Sequence, residues 1–282
     1  MDQTEYRFLD SGNGRILERF GDIVLDRMCS TALWAPLKEK AIWTQADAIY
    51  NSKSGWSFTH KPFSHWTIKA AGAKVWLRLE KNGQIGLFPE HILYIPKIVS
   101  FISRIRQNGE VPTLLNLFGY TGICSVAGAL AGASVLHLDL SRRALTWANK
   151  NFEINQVNER VKIIRDDALK FLQRKARHGA SYDLIVADPP LFSRTPKGSW
   201  KVNQVIHDLL KLCIKLLNPH GGLFILTTHS PELDGETLRN ITADFVSTEA
   251  IIEAGPLRLK ESDSERLLHR GYFVSLDTTP IT

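Results

Sequence analysis

The chain has 282 residues, 44% hydrophobic and 23% charged, which suffices for a buried core and about two domains of ~100–200 residues each. No run reaches the ~18 consecutive apolar residues of a membrane span, and the opening MDQTEYRFLD lacks the basic and apolar regions of a signal peptide, so composition predicts a cytoplasmic protein with no membrane partner. Cys29, Cys124 and Cys213 are too scattered for a disulfide framework or a C-x-x-C metal pattern, while the formal charge of +6 suits a polyanionic partner and plain solubility equally, since no dense basic run marks an interface.

Residues 1–90 read as a β-rich N-terminal module. Short apolar runs, YRFLD, RILERF and IVLDR, are punctuated by Ser11-Gly12-Asn13-Gly14 and Gly21-Asp22. The same grammar returns in HWTIKAAGAKVWLRLEKNGQIGLF, where Ala71-Gly72 and Asn82-Gly83 separate alternating runs and Asn-Gly predicts a hairpin. Five of the seven tryptophans, Trp34, Trp43, Trp56, Trp66 and Trp76, fall here; filling the core of a small β domain explains them better than stacking on bases does. Residues 91–110, opening HILYIPKIVSFISRIRQN, predict a helical linker.

Across residues 111–282 the grammar changes to strands alternating with helices: VPTLLNLF, then GICSVAGALAG, SVLHLDL, SRRALTWANKNFEIN, VKIIRDD, ALKFLQRKAR and YDLIVADPP. A helix from about Gln204 to Leu217, the strand GLFILTTHS, a short helix after Leu233 and strands near Ile251 and Phe273 complete the series. Such alternation implies βαβ units and a mostly parallel sheet covered by helices, an α/β class whose ligands sit at the carboxyl ends of the strands.

The first strand-to-helix turn is Asn116-Leu117-Phe118-Gly119-Tyr120-Thr121-Gly122, where small residues let the backbone approach a nucleotide-like ligand. It lacks the G-x-G-x-x-G spacing of a dinucleotide site, which disfavours a nicotinamide-dependent oxidoreductase. Asp139 ends the second strand, ahead of Leu140 and Ser141, where a carboxylate meets ribose hydroxyls. Asp166-Asp167-Ala168 follows the third strand, placed to meet an adenine amino group with a carboxylate and a backbone amide. Helix capping is the competing explanation for Asp139 and Asp167 taken singly. The fourth strand ends in Asp188-Pro189-Pro190-Leu191-Phe192; two prolines stiffen the turn, holding the Asp188 and Pro189 carbonyls toward the cleft, with Phe192 available to stack on a base.

In order and spacing, LLNLFGYTG, HLDLS, RDDALKFL and YDLIVADPPLFS resemble the class I S-adenosylmethionine-dependent methyltransferases, and among them the bacterial large-subunit ribosomal RNA methyltransferase group. GQIGLFPEH, residues 83–91, resembles the segment preceding that group's catalytic domain. The resemblance covers about residues 80–280. It implies a Rossmann-like domain with a mostly parallel seven-stranded sheet, preceded by a small antiparallel β module. It also implies S-adenosylmethionine as cofactor, with Phe118, Tyr120 and Gly122 around its methionine part, Asp139 at the ribose, Asp167 and Ala168 at the adenine and Asp188 at the reaction centre.

One departure bears on chemistry. Group members that methylate carbon five of cytosine carry a cysteine near the end of the fifth strand; here that stretch reads Thr227-Thr228-His229-Ser230, without the nucleophile of a covalent pyrimidine mechanism. The expectation is therefore direct in-line methyl transfer to an RNA base, with ribosomal RNA as partner. A methyltransferase of proteins or small molecules, and a non-catalytic RNA-binding relative, stay open as alternatives.

Overall fold

The computed structural model describes residues 4–195, 198–246 and 250–279, and these group into two compact units, residues 1–93 with 258–269 and residues 94–257 with 270–282. In the first unit β1 (Tyr6–Gly12), β2 (Arg15–Phe20) and β3 (Ile23–Met28) make an antiparallel meander. Helix α1 (Lys40–Trp43) leads to β4 (Ala48–Asn51), which pairs parallel to β3, and β5 (Gly55–Phe58) closes the five-stranded sheet; β6 (His65–Ala70) and β7 (Ala73–Arg78) form a separate hairpin. The module is thus antiparallel save for β3 with β4, whose connection crosses over instead of turning back.

Local chemistry explains these hairpins. Asn13 and Gly14 take φ of 51° and 75°, and Ala71 and Gly72 take 49° and 77°, the left-handed two-residue turns that suit twisted strands. Asn82-Gly83 turns the chain back after β7, with the Glu80 N–H donating to the Gln84 carbonyl at 2.9 Å and the Arg78 N–H to the Ile85 carbonyl at 3.1 Å, but the return run forms no strand among the described residues. Module tryptophans donate their indole N–H to protein acceptors: Trp34 to the Ser11 carbonyl, Trp43 to Asp10, Trp56 to the Glu80 carbonyl and Trp66 to the Phe20 carbonyl.

The second unit opens with α2 (Ile95–Gln107), whose Ile95, Ile98, Phe101 and Ile102 are buried at helical spacing and which packs on α3 (Ile123–Leu130). Around it run β8 (Thr113–Leu117), β9 (Ser134–Asp139), α4 (Arg142–Ile154), β10 (Val161–Arg165), α5 (Ala168–Arg177) and β11 (Leu184–Ala187). A hairpin, β12 (Phe192–Thr195) with β13 (Gly198–Lys201), precedes α6 (Val202–Leu216), β14 (Leu223–Thr228), α7 (Gly235–Ala243), β15 (Ile251–Lys260) and β16 (Leu267–Asp277).

The seven strands order as β10-β9-β8-β11-β14-β16-β15, parallel from β10 to β14 with β16 antiparallel to β14. Leu184–Ala187 and Leu223–Thr228 are buried at every position, as strands covered on both faces must be. Strand order reverses between β8 and β11, and the carboxyl ends of those two strands define the crevice of a doubly wound sheet. Among the described residues no helix is long and apolar enough to cross a membrane.

Candidate active site

The turn leaving β8 stands at that switch point. Phe118 and Tyr120 take left-handed φ of 55° and 49°, and Gly122, the N-cap of α3, takes 85°. Left-handed non-glycine residues cost free energy and persist only where surroundings hold them. Here the Gly119 N–H donates to the Leu138 carbonyl at 2.9 Å, the Asn151 amide to the Thr121 carbonyl at 2.8 Å, and the Tyr120 N–H to Asp139 Oδ2 at 2.9 Å. The two glycines rest on side chains below. A Cβ at Gly119 would lie 2.5 Å from His137 Nδ1, and one at Gly122 would lie 2.8 Å from the Phe152 ring. Asn116 is buried beneath the turn and donates to Ser125 Oγ at 2.9 Å.

Asp139 ends β9 with each oxygen engaged, Oδ2 by Tyr120 and Oδ1 by the Ser141 N–H at 2.7 Å. Burial raises its carboxyl above the ordinary range, opposed by N–H donation from Ser141, Tyr120 and Leu140. The cap of α4 is Ser141, whose Oγ accepts from the Ala144 N–H, so Asp139 is left to brace the turn and Leu140 to bridge the two. At β10 the two acids divide. Asp166 pairs with Arg174, whereas Asp167 caps α5 by accepting from the Lys170 N–H at 3.0 Å, with Ala168 buried beside it.

At the end of β11 the Asp188 carboxylate accepts a hydrogen bond from the Thr227 hydroxyl of β14 at 2.6 Å, and His229 Nε2 lies 4.0 Å from the same oxygen. Pro189 is buried and Pro190 exposed; Leu191 and Phe192 follow at 49% and 47% exposure, large apolar side chains left open to a ligand. Thr227 was passed over in the sequence except as a missing cysteine. Trp200 was passed over as well: its β13 position sets the indole in a T-shaped contact with Phe118, with ring centroids 6.1 Å apart. Tyr94 is a third such residue, buried with its hydroxyl accepting from Cys124 Sγ at 3.8 Å. All three cysteines are buried as thiols outside any disulfide, and burial pushes the Cys213 thiol up.

These features fit S-adenosylmethionine. The alternating hand of the Phe118–Gly122 backbone offers a concave surface, and a carboxylate has about four acceptor sites, so Asp139 keeps capacity for a ribose hydroxyl beyond its three backbone donors.

The sequence profile of the S-adenosylmethionine-dependent methyltransferases matches residues 18–265, and the chain belongs to that family. It is 32% identical over 219 residues to the ribosomal RNA large subunit methyltransferase K of Neisseria meningitidis, covering 75% of this chain and 57% of that protein. It is 27% identical over 261 residues to the ribosomal RNA large subunit methyltransferase I of Salmonella paratyphi B, covering 86% of this chain and 62% of the relative. The chain therefore spans about three fifths of the length of each. Among solved structures, a SAM-dependent methyltransferase from Agrobacterium tumefaciens superposes with a TM-score of 0.91 at 29% identity, covering 99% of this chain and 92% of that one. SMU.776, solved with S-adenosylhomocysteine, shares the fold at a TM-score of 0.75 and 18% identity, covering 98% and 76%.

Proposed function

We propose that this chain transfers a methyl group from S-adenosylmethionine to a nitrogen, or a similar nucleophile, of a ribosomal RNA base, in the cytoplasm and without a cysteine adduct. The cofactor, when bound, supplies an electrophilic methyl on sulfur. Phe118, Gly119, Tyr120, Thr121 and Gly122, above Asn116, hold its methionine end; Asp139, with Leu140 and Ser141, receives the ribose; Asp167 and Ala168 meet the adenine. Asp188 and the Pro189 carbonyl accept hydrogens from the acceptor nitrogen, so that its lone pair points along the line of transfer. Phe192 stacks on the base.

The observation carrying this reading is the braced Asp188 carboxylate beside an exposed aromatic at the switch point. Thr227-Thr228-His229-Ser230 at the end of β14, and three buried thiols, favour direct transfer. The names of the two curated relatives and the +6 charge favour RNA.

Incubation with methyl-labelled S-adenosylmethionine and total ribosomal RNA tests it. Label in RNA, lost with Asp188→Ala and diminished by rising salt, is the expected result. Label only in protein or small molecules would move the acceptor to those classes.

A further inference from the structure

Behind the Asp188 carboxylate runs a buried relay of hydroxyl and thiol groups that the methyl-transfer reading leaves unused. Thr227, near the end of β14, gives its hydroxyl hydrogen to Asp188 Oδ1 at 2.6 Å. The same Thr227 hydroxyl is hydrogen-bonded to the hydroxyl of Tyr94, the N-cap residue of α2. Cys124, in the first turn of α3, donates its S–H to the Tyr94 oxygen at 3.8 Å, and Thr227, Tyr94 and Cys124 are all buried. Helix α3 is the one that Gly122 caps, so the relay links the helix leaving the proposed cofactor turn to the end of β11.

Hydrogen counting sets the direction of the relay. A hydroxyl carries one hydrogen, and an ionised carboxylate can only accept. With the Thr227 hydrogen committed to Asp188, the Thr227 oxygen is the acceptor in its bond with Tyr94, and Tyr94 is the donor. Burial keeps the phenol protonated, pushing its pKa well above the ordinary range, and the neighbouring Cys124 and Asp188 act in the same direction. A phenylalanine would fill this space without the cost of burying a hydroxyl, a cost that hydrogen bonds on both sides of the oxygen offset.

We infer that Tyr94 is a positioning residue for the reaction centre: its hydroxyl, held by Cys124, fixes the rotation of the Thr227 hydroxyl and thereby the face that the Asp188 carboxylate presents to the methyl acceptor. The inference rests on the reading of Asp188 as the reaction-centre carboxylate. A donor aimed at the Thr227 oxygen disfavours the rotation that would turn its hydrogen toward Tyr94, and a hydroxyl that accepts one bond donates a stronger one in the next. The relay therefore acts on the transfer step and leaves cofactor affinity alone.

The test is a double-mutant cycle of Tyr94→Phe with Thr227→Val in the whole chain, read by three measurements. With total ribosomal RNA and methyl-labelled S-adenosylmethionine, Tyr94→Phe should lower kcat about 3- to 10-fold in the unaltered chain and less than about twofold in Thr227→Val. Calorimetric titration with S-adenosylhomocysteine should give an affinity near the original value in Tyr94→Phe. In urea, Tyr94→Phe should lower the unfolding midpoint of the unaltered chain, yet leave unchanged or raise that of Thr227→Val, where the Tyr94 hydroxyl has lost its acceptor.

An unchanged kcat in Tyr94→Phe, equal fold losses of kcat in the two backgrounds, or equal shifts of the urea midpoint would overturn the inference. No label transferred by the unaltered chain, or transfer insensitive to Asp188→Ala, would overturn the reading of the reaction centre and the inference with it. The urea cycle needs no activity, so it tells that failure from a failure of the relay.

Discussion

The Thr227 hydroxyl donates to Asp188 Oδ1 at 2.6 Å, joining the ends of β14 and β11 at the proposed reaction centre. A hydrogen bond to a charged acceptor contributes about 1.5–3 kcal/mol. It fixes which way the carboxylate faces. Thr227→Val, nearly the same shape without the donor, should lower kcat by roughly 10- to 100-fold and leave S-adenosylhomocysteine affinity near its original value. Steady-state kinetics beside titration calorimetry separates the two, and an equal loss in both would show that Thr227 shapes the whole pocket.

Gly119 has no room for a side chain, since an added Cβ would fall 2.5 Å from His137 Nδ1 in a fully packed interior. Gly119→Ala should destabilise the protein by about 1–3 kcal/mol, the usual range for forcing a methyl into a filled core. It should also weaken cofactor binding, because the displaced ring supports the turn. Denaturant unfolding measures the first effect, and a stability equal to that of the unaltered protein would contradict this packing.

Much of this region was legible in the sequence because it depends on local order. The alternation of runs gave the five parallel strands, and the acids at Asp139, Asp167 and Asp188 were readable as strand ends. Thr227, Trp200 and Tyr94 were not. Each matters through a partner 30 or more residues away, or across a strand pairing that no local pattern announces. The β12–β13 hairpin was missed for a related reason: a short insertion between β11 and α6 carries too few alternating residues to signal a strand pair. The capping question for Asp139 was open because Asp139 and Ser141 both suit an N-cap, and only the Ser141-to-Ala144 bond decides it.

The buried His137 makes stability depend on pH. Its pKa falls from 6.5 to about 4 on folding, so between those values the unfolded chain binds a proton that the folded chain does not. Stability is fully present above pH 6.5 and declines as pH drops toward 4, by about 3 kcal/mol in total from this group. Carboxylates titrate over part of the same window, so the comparison is with His137→Gln, which should lack that share of the loss. Urea titrations of both proteins at several pH values check it; parallel curves would contradict a neutral buried imidazole.

Trp200 makes a T-shaped ring contact with Phe118, tying the hairpin after Asp188-Pro189-Pro190 to the proposed cofactor turn. An aromatic pair contributes about 0.5–1.5 kcal/mol beyond burial. Trp200→Ala should therefore weaken S-adenosylhomocysteine binding roughly 2- to 10-fold and raise KM for RNA as well. Unchanged binding with a raised RNA KM would assign Trp200 to the substrate alone.

Asp139 and the turn it braces are the proposed seat of S-adenosylmethionine. The most direct measurement is calorimetric titration of the unaltered chain and of Asp139→Ala with S-adenosylhomocysteine, with NAD as comparator. Binding of S-adenosylhomocysteine alone, weakened at least about tenfold by a substitution that removes charge-assisted hydrogen bonds, is the predicted result. No heat of binding, or equal affinity in the two proteins, would contradict it.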